Sequence, residues 1–298
     1  MRLRWMLTGL LALAMVMAIS PALAQDAAEE ETAVDPDVQA VTDALTAVID
    51  SVTSFDEDAI KAAFSERSVV VLSFMGVRVL DRAGLIDFVR YENVSQAEFG
   101  EVEVTMFDGL AFVTVPITVP GYADGAMFGV MAKMMGKWQI VYSVIDPMSN
   151  MIPTSRKDKG EAMIEQIAEE FFTGLQGGSL EALTSRLSEE HACLIASIPP
   201  MAPMVFNDYN QIMNALPMAE PVLAAFPTPE VLESDYEICN GVLLGWCDLQ
   251  LPKDVVMRAY MVALVQGEEA SIINGTLAFK GDVMALVAEY GPAAGVGN

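Results

Sequence analysis

Two side chains have the chemistry of an acid or base in a setting that could use it. Asp248 sits inside the apolar run Leu243 to Leu251. Strand alternation puts it on one face with Leu244 and Trp246. Facing inward, it would lie in a low-dielectric pocket, where a carboxyl can act as a general acid or orient a ligand. Facing outward it is a solvated surface carboxylate, and Pro116, its counterpart in the repeat described below, suggests an edge strand. His191 is the only histidine and follows Glu189 and Glu190. A nucleophile, base and orienter arrangement would have to be built around it. Its place at a helix-to-strand corner reads first as a solvated surface.

Sulfur offers two further chemistries. Met127, Met131, Met134 and Met135 cluster in the first half, and Met201, Met204, Met213 and Met218 in the second. Clustered thioethers can hold Cu(I), which is soft. The same residues also fill adaptable apolar cores and pockets, and that reading comes first. Cys193, Cys239 and Cys247 leave room for one disulfide and one thiol in an oxidising compartment. A two-residue turn at Asn240-Gly241 sets Cys239 opposite Val242 and Cys247 opposite Ser234, which disfavours a bridge between those two. Cys193 with Cys239 or with Cys247 therefore remain as candidate pairs. There is no CxxC spacing and no GxxxxGK loop, so redox catalysis, a structural zinc site and a phosphate-binding loop are not indicated. No cofactor or metal is expected.

The chain has 298 residues, 53% of them hydrophobic and 19% charged, with 16 Lys plus Arg against 41 Asp plus Glu. That composition builds a real core and excludes disorder. Its formal charge of −25, without a basic stretch, makes nucleic acid or anionic lipid a poor partner. Arg2 and Arg4 precede an apolar run from Met6 to Ile19, then Pro21, Ala22, Leu23 and Ala24. This pattern reads as a secretory signal over residues 1–24, too short to span a bilayer as a helix. A periplasmic or secreted protein with no membrane span after signal removal is the expectation.

An acidic tether over residues 25–36 leads to Val38, Val41, Leu45, Val48, Ile49 and Val52, which recur at helical spacing. A shift of 123 positions lays Ile164, Ile167, Phe171, Phe172 and Leu175 over Val41, Ala44, Val48, Ile49 and Val52. The match continues through a second helix and a strand, Val69 to Leu72 over Ala192 to Ile195. The offset grows to about 127 at a third helix, where Asp81 to Arg90 corresponds to Asp208 to Pro217, and to 132 at a hairpin. There Phe107-Asp108-Gly109-Leu110 matches Cys239-Asn240-Gly241-Val242, and Asp-Gly and Asn-Gly between apolar runs are strong hairpin signals. Offsets that hold within elements and jump between them are what duplication followed by loop insertion leaves. The expected domains are 37–147 and 160–289, joined by a linker over 148–159 and followed by a loose tail over 290–298. Pro- and Met-rich insertions are expected at Ile198 to Pro203 and Met218 to Pro229. Each domain is α+β, with about three N-terminal helices on a curved antiparallel sheet.

Each unit resembles the nuclear transport factor two-like superfamily, which includes ketosteroid isomerase and the polyketide cyclases. The resemblance rests on the N-terminal amphipathic helix, the short helix in Ser54-Phe55-Asp56-Glu57-Asp58-Ala59-Ile60 with Phe64 after it, the strand Val69 to Leu72, the helix Leu85 to Val89 and the terminal sheet. It covers most of 37–146 and, less clearly, 160–281. It implies two cone-shaped units, each with an apolar pocket at its mouth, for which Phe74, Met75, Val130, Tyr142, Trp246 and Tyr260 are the candidate lining residues. It also implies where an isomerase would keep its machinery. The general base falls near Ser73 and Ala196, the oxyanion-stabilising tyrosine near Val48 and Phe171, and the protonated aspartate near Val130 and Met261. None of these side chains can do that work.

The expected function is therefore an exported, non-catalytic binding or scaffolding protein for a small apolar ligand or a protein partner, a second copy of itself included. A lyase, isomerase or hydrolase acting through Asp248 or His191 is the alternative, and Met-based Cu(I) binding the third reading.

Overall fold

Val41, Leu45 and Val48 share one face of the first helix, α1 (Pro36–Thr53), and are buried there together with Ser51. Ser51 Oγ donates to the carbonyl of Val48 at 2.7 Å, so the buried hydroxyl is satisfied within its own turn. The next helix, α2 (Glu57–Ala63), starts where the Asp56 carboxylate accepts the Ala59 N–H at 3.0 Å. It runs without a break into β1 (Phe64–Leu72), which forms a hairpin with the short β2 (Arg78–Leu80). Helix α3 (Arg82–Tyr91) is capped in the same way, the Asp81 carboxylate accepting the Gly84 N–H at 2.7 Å. Four principal strands follow, β4 (Glu103–Phe107), β5 (Leu110–Thr118), β6 (Gly125–Met134) and β7 (Lys137–Asp146), with the two-residue β3 (Glu98–Phe99) ahead of them.

The structure is a computed structural model. It describes residues 35–290 apart from 74–76, 93, 119–123, 147–165, 168, 171–172, 175–176, 178, 240–241 and 267–268. The expected signal segment, most of the tether, the linker and the loose tail beyond Tyr290 lie outside the described residues. So does most of the expected first helix of the second half, of which Ile167 is seen and buried.

The second half repeats the plan. Helix α4 (Glu181–Arg186) precedes β8 (Cys193–Ser197) and β9 (Met204–Phe206), then α5 (Tyr209–Ala225), then the meander β10 (Glu230–Cys239), β11 (Val242–Gln250), β12 (Val256–Gln266) and β13 (Glu269–Lys280). The first sheet runs β2-β1-β7-β6-β5-β3, with β4 also on β5, and the second β9-β8-β13-β12-β11-β10. In both, the first long strand lies parallel to the last, β1 beside β7 and β8 beside β13. Each sheet is thus mixed, where an antiparallel one was expected, because the chain returns from its final hairpin to the strand that opened the unit.

Two further elements differ from expectation. Helix α5 continues through Met218 to Ala225, a stretch the sequence suggests is an insertion, in spite of Pro217 and Pro221. Ile212 and Leu216 anchor it in the core, and Phe226 packs there just beyond its end. A helix α6 (Val283–Tyr290) closes the chain, with Asp282 accepting the Ala285 N–H at 2.9 Å and with Val283 and Leu286 buried.

The core has three layers. Helices α1 to α3 cover one face of the first sheet around Leu45, Ile60, Leu85 and Ile140. Helices α5 and α6 cover one face of the second sheet around Ile212, Leu243, Met261 and Leu286. Between them the two remaining sheet faces pack on each other, Val71, Leu110, Val130 and Tyr142 against Ile195, Val242, Leu244 and Val262. The described residues from Pro36 onward consequently form one compact unit. This arrangement explains why β11 is apolar almost throughout. Leu243, Cys247 and Leu249 face helices while Val242, Leu244 and Trp246 face the other sheet.

Candidate functional site

Arg258 is the only basic residue between Lys253 and Lys280. It lies on β12 directly across from Asp248 on β11, and Tyr260 lies across from Trp246. Its guanidinium forks onto the carboxylate, Nε to Oδ1 at 2.7 Å and Nη2 to Oδ2 at 2.8 Å. The two side chains are only 12% and 15% exposed. Bidentate pairs of this kind are geometrically specific as well as strong.

The same guanidinium is walled by aromatic rings. Its central carbon stands 4.3 Å from the Trp246 ring centroid, 5.2 Å from that of Phe107 and 5.5 Å from that of Phe112. Phe107 and Phe112 belong to β4 and β5 of the opposite sheet, so Arg258 reaches across the sheet-on-sheet layer. The rings also meet one another, Phe107 and Phe112 edge to face at 5.7 Å and Phe112 and Tyr260 tilted at 5.6 Å.

Beside this group the sheets part around a cavity of about 390 Å³. The first sheet contributes Glu103 and Thr105 from β4, Phe112 and Thr114 from β5 and Phe128 from β6. Gly129 keeps the strands close here, since a Cβ on it would stand 2.9 Å from Val113 Cγ2. The second sheet contributes Glu233 and Asp235 from β10, Leu244 and Trp246 from β11, and Arg258 and Tyr260 from β12. Glu103, Thr105, Glu233 and Asp235 are exposed and form the rim, whereas Leu244 and Tyr260 are buried and form the floor. An aromatic cleft with one neutralised cation in its wall and carboxylates at its mouth can hold and orient a small molecule.

Of the residues singled out in the sequence, Trp246 and Tyr260 line this cavity. Val130 and Tyr142 lie in the layer between the sheets, away from a mouth on the helix side. The Tyr142 hydroxyl is fully buried without a hydrogen-bond partner, and burial pushes its pKa well above the ordinary 10.0. Phe74 and Met75 lie outside the described residues. Asp248 does share a face with Leu244 and Trp246, but both its oxygens are held by Arg258. It is half of an ion pair, where the sequence allowed a lone carboxyl in an apolar pocket. His191 is on the turn before β8, with its N–H on Ser188 Oγ at 3.1 Å and Nε2 3.8 Å from Glu190. It does not line the cavity. Ser73 Oγ, where the family resemblance would place a general base, donates to the Ile145 carbonyl at 3.3 Å.

The disulfide expectation is corrected. Cys193 and Cys247 are buried free thiols, Cys193 facing the other sheet and Cys247 the helix side of its own. Opposite faces of a sheet cannot be bridged. Burial pushes their pKa values up to about 12 and about 11 from an ordinary 9.0. The side chain of Cys239 is outside the described residues. The copper reading is corrected for the first methionine cluster. Met127 and Met131 face the helix side of the first sheet, Met134 faces the other sheet, and Met135 is fully exposed at a hairpin tip. Three sulfurs of that cluster do not converge. Among the described residues no group of His, Cys, Asp and Glu is arranged to hold a metal, and no helix is long and apolar enough to cross a membrane.

Sequence reasoning missed Arg258, Phe107, Phe112, Phe128 and the rim carboxylates. One signal was present. Asp248 and Arg258 lie equally far from Lys253 in a Pro252-Lys253-Asp254 turn, which in a hairpin makes opposite charges face each other.

The fold defines an α+β protein of two mixed sheets packed face to face, each with helices on its outer side. No family model and no curated protein matches the chain. Solved structures do. It is similar to an NTF-2 like protein of unknown function from Silicibacter pomeroyi, 18% identical, covering 37% of this chain and 93% of that one with a TM-score of 0.33. A second NTF2-like protein of unknown function, from Shewanella baltica, is 15% identical and covers 37% of this chain and 91% of its own, with a TM-score of 0.33. A cystatin-like fold protein from Burkholderia xenovorans is 20% identical and covers 40% and 96%, with a TM-score of 0.34.

Proposed function

We propose that the protein is an exported binding protein that takes a small molecule in the cavity between its two sheets, and that it is not a catalyst. The observation that carries this reading is the state of Asp248. Its two oxygens are engaged by the Arg258 guanidinium, itself packed among Trp246, Phe107 and Phe112. A carboxylate so held cannot turn to take a proton from a substrate, whereas the pair makes a rigid wall for a ligand to rest on. The cavity volume falls within the range of small-molecule sites, and aromatic walls with a few polar groups are typical of them. Export is supported by Arg2, Arg4, the apolar run Met6 to Ile19 and the small residues that end at Ala24.

The test is native mass spectrometry of the protein purified from the extracytoplasmic fraction of its own host, beside a Thr114→Phe variant that fills the cavity. A stoichiometric small molecule on the natural chain and none on the variant is the expected result, with a mature chain beginning at Gln25. An empty natural protein, or equal occupancy of both, overturns the cavity reading. A chain that keeps residues 1–24 in the cytoplasm overturns export.

A further inference from the structure

We infer that the ligand of the cavity between the sheets is an organic cation, an amine or quaternary ammonium that carries an apolar group. This rests on the cavity reading above and names the chemical class that its walls select.

The charge at the site is decided by what remains after internal pairing. Arg258 is the only basic residue on the wall, and Asp248, standing behind it, neutralises it through two hydrogen bonds. Glu103 on one sheet and Glu233 on the other then leave the mouth negative from both sides. An anionic ligand would meet carboxylates on each wall. A cation entering between them is drawn in by the rim and by the field of a chain with a formal charge of −25.

The interior suits the same class. Phe112, Phe128, Trp246 and Tyr260 present rings to the cavity, and ring faces attract cations. The protein already uses its rings in this way, for Arg258 lies against Trp246, Phe107 and Phe112. An ammonium with an apolar tail would place its charge near Glu103 and Glu233 and its tail on the floor made by Leu244 and Tyr260. A neutral apolar molecule would fill the floor and leave the rim unused.

The experiment is calorimetric titration of the mature protein with three probes of one shape, phenethylamine, 2-phenylethanol and phenylacetate. Phenethylamine is expected to bind about ten-fold or more tighter than 2-phenylethanol, and phenylacetate not to bind. Glu103→Gln with Glu233→Gln is expected to weaken phenethylamine by about ten-fold and leave 2-phenylethanol unchanged. The Thr114→Phe variant, checked for an unchanged unfolding midpoint, should bind none of the three. If 2-phenylethanol binds as tightly as the amine, the cation inference falls and the cavity reading stands. Should the amine bind Thr114→Phe as well as the natural protein, it sits on the acidic surface and the inference falls. Failure of all three probes on the natural protein overturns both.

Discussion

Arg258→Met separates the ion pair from the packing around it. Methionine keeps most of the arginine stem and removes the guanidinium, so Asp248 is left largely buried with nothing to balance its charge. Breaking a buried pair from one side costs about 3 to 5 kcal/mol, and the remaining exposure of 12% and 15% argues for the lower end, about 3 kcal/mol. Loss of the ring contacts to Trp246, Phe107 and Phe112 adds about 0.5 to 1 kcal/mol. For a folded unit of this size the sum lowers the melting temperature by roughly 7 to 12 °C. Urea unfolding gives the free energy directly, and the decisive comparison is the double variant Arg258→Met with Asp248→Leu. Replacing both charges with apolar groups removes the uncompensated carboxylate, so it should recover to within about 1 kcal/mol of the natural protein. A single variant that unfolds like the natural protein would refute the reasoning, because the pair would then be solvated. A double variant as weak as the single one would also refute it, since the loss would be one of packing.

Three further outcomes are expected. Tyr142→Phe removes a buried hydroxyl that has no partner and should leave stability unchanged or raise it by up to about 1 kcal/mol in urea unfolding, while a clear loss would reveal a bound water or donor on that oxygen. Cys193 and Cys247, with pKa values pushed up to about 12 and about 11, stay protonated in the folded chain above pH 9 while the unfolded chain ionises. The folded state then holds more protons, so stability is full below pH 9 and falls as pH rises toward those values, by about 1.4 kcal/mol per unit for each thiol. A Cys193→Ala, Cys247→Ala chain should show a smaller fall, and an equal fall in urea midpoints across pH 8 to 10.5 would contradict the assignment. Gly109→Ala should cost about 1 to 2 kcal/mol in the same assay, because the position has φ of +77° and a Cβ would stand 3.2 Å from Pro203 Cγ and 3.3 Å from Ser197 Oγ, and a neutral effect would show that the turn is free of the second sheet.

Local features of the fold were legible because single residues decide them. Asp108-Gly109 makes the turn that pairs Phe107 with Leu110, and the register across the second hairpin sets Cys239 opposite Val242 and Cys247 opposite Ser234. The order and repetition of elements could also be followed, through the spacing of apolar residues. What the spacing could not reveal is which sheet face turns to the helices. Strands such as β11 are buried on both sides, so period-two alternation is washed out and both faces read alike. For that reason Tyr142 and Val130 were expected in a pocket and lie in the layer between the sheets, and the rings around Arg258 were not gathered at all. Phe107, Phe112 and Arg258 come from opposite sheets far apart in sequence, and only the packing of the sheets brings them together.

Having both sheets in one chain bears on the symmetry of the cleft. Two identical subunits meeting through the same sheet face would be related by a two-fold axis, and every group on one wall would recur on the other. An arginine in such a cleft would come with a second arginine. In this chain Trp246 and Thr114 hold corresponding places in the two repeats, yet one wall carries a tryptophan and the other a threonine. With both walls in one chain neither has to copy the other, so under the binding reading proposed above a molecule with unlike ends would be received in a single orientation.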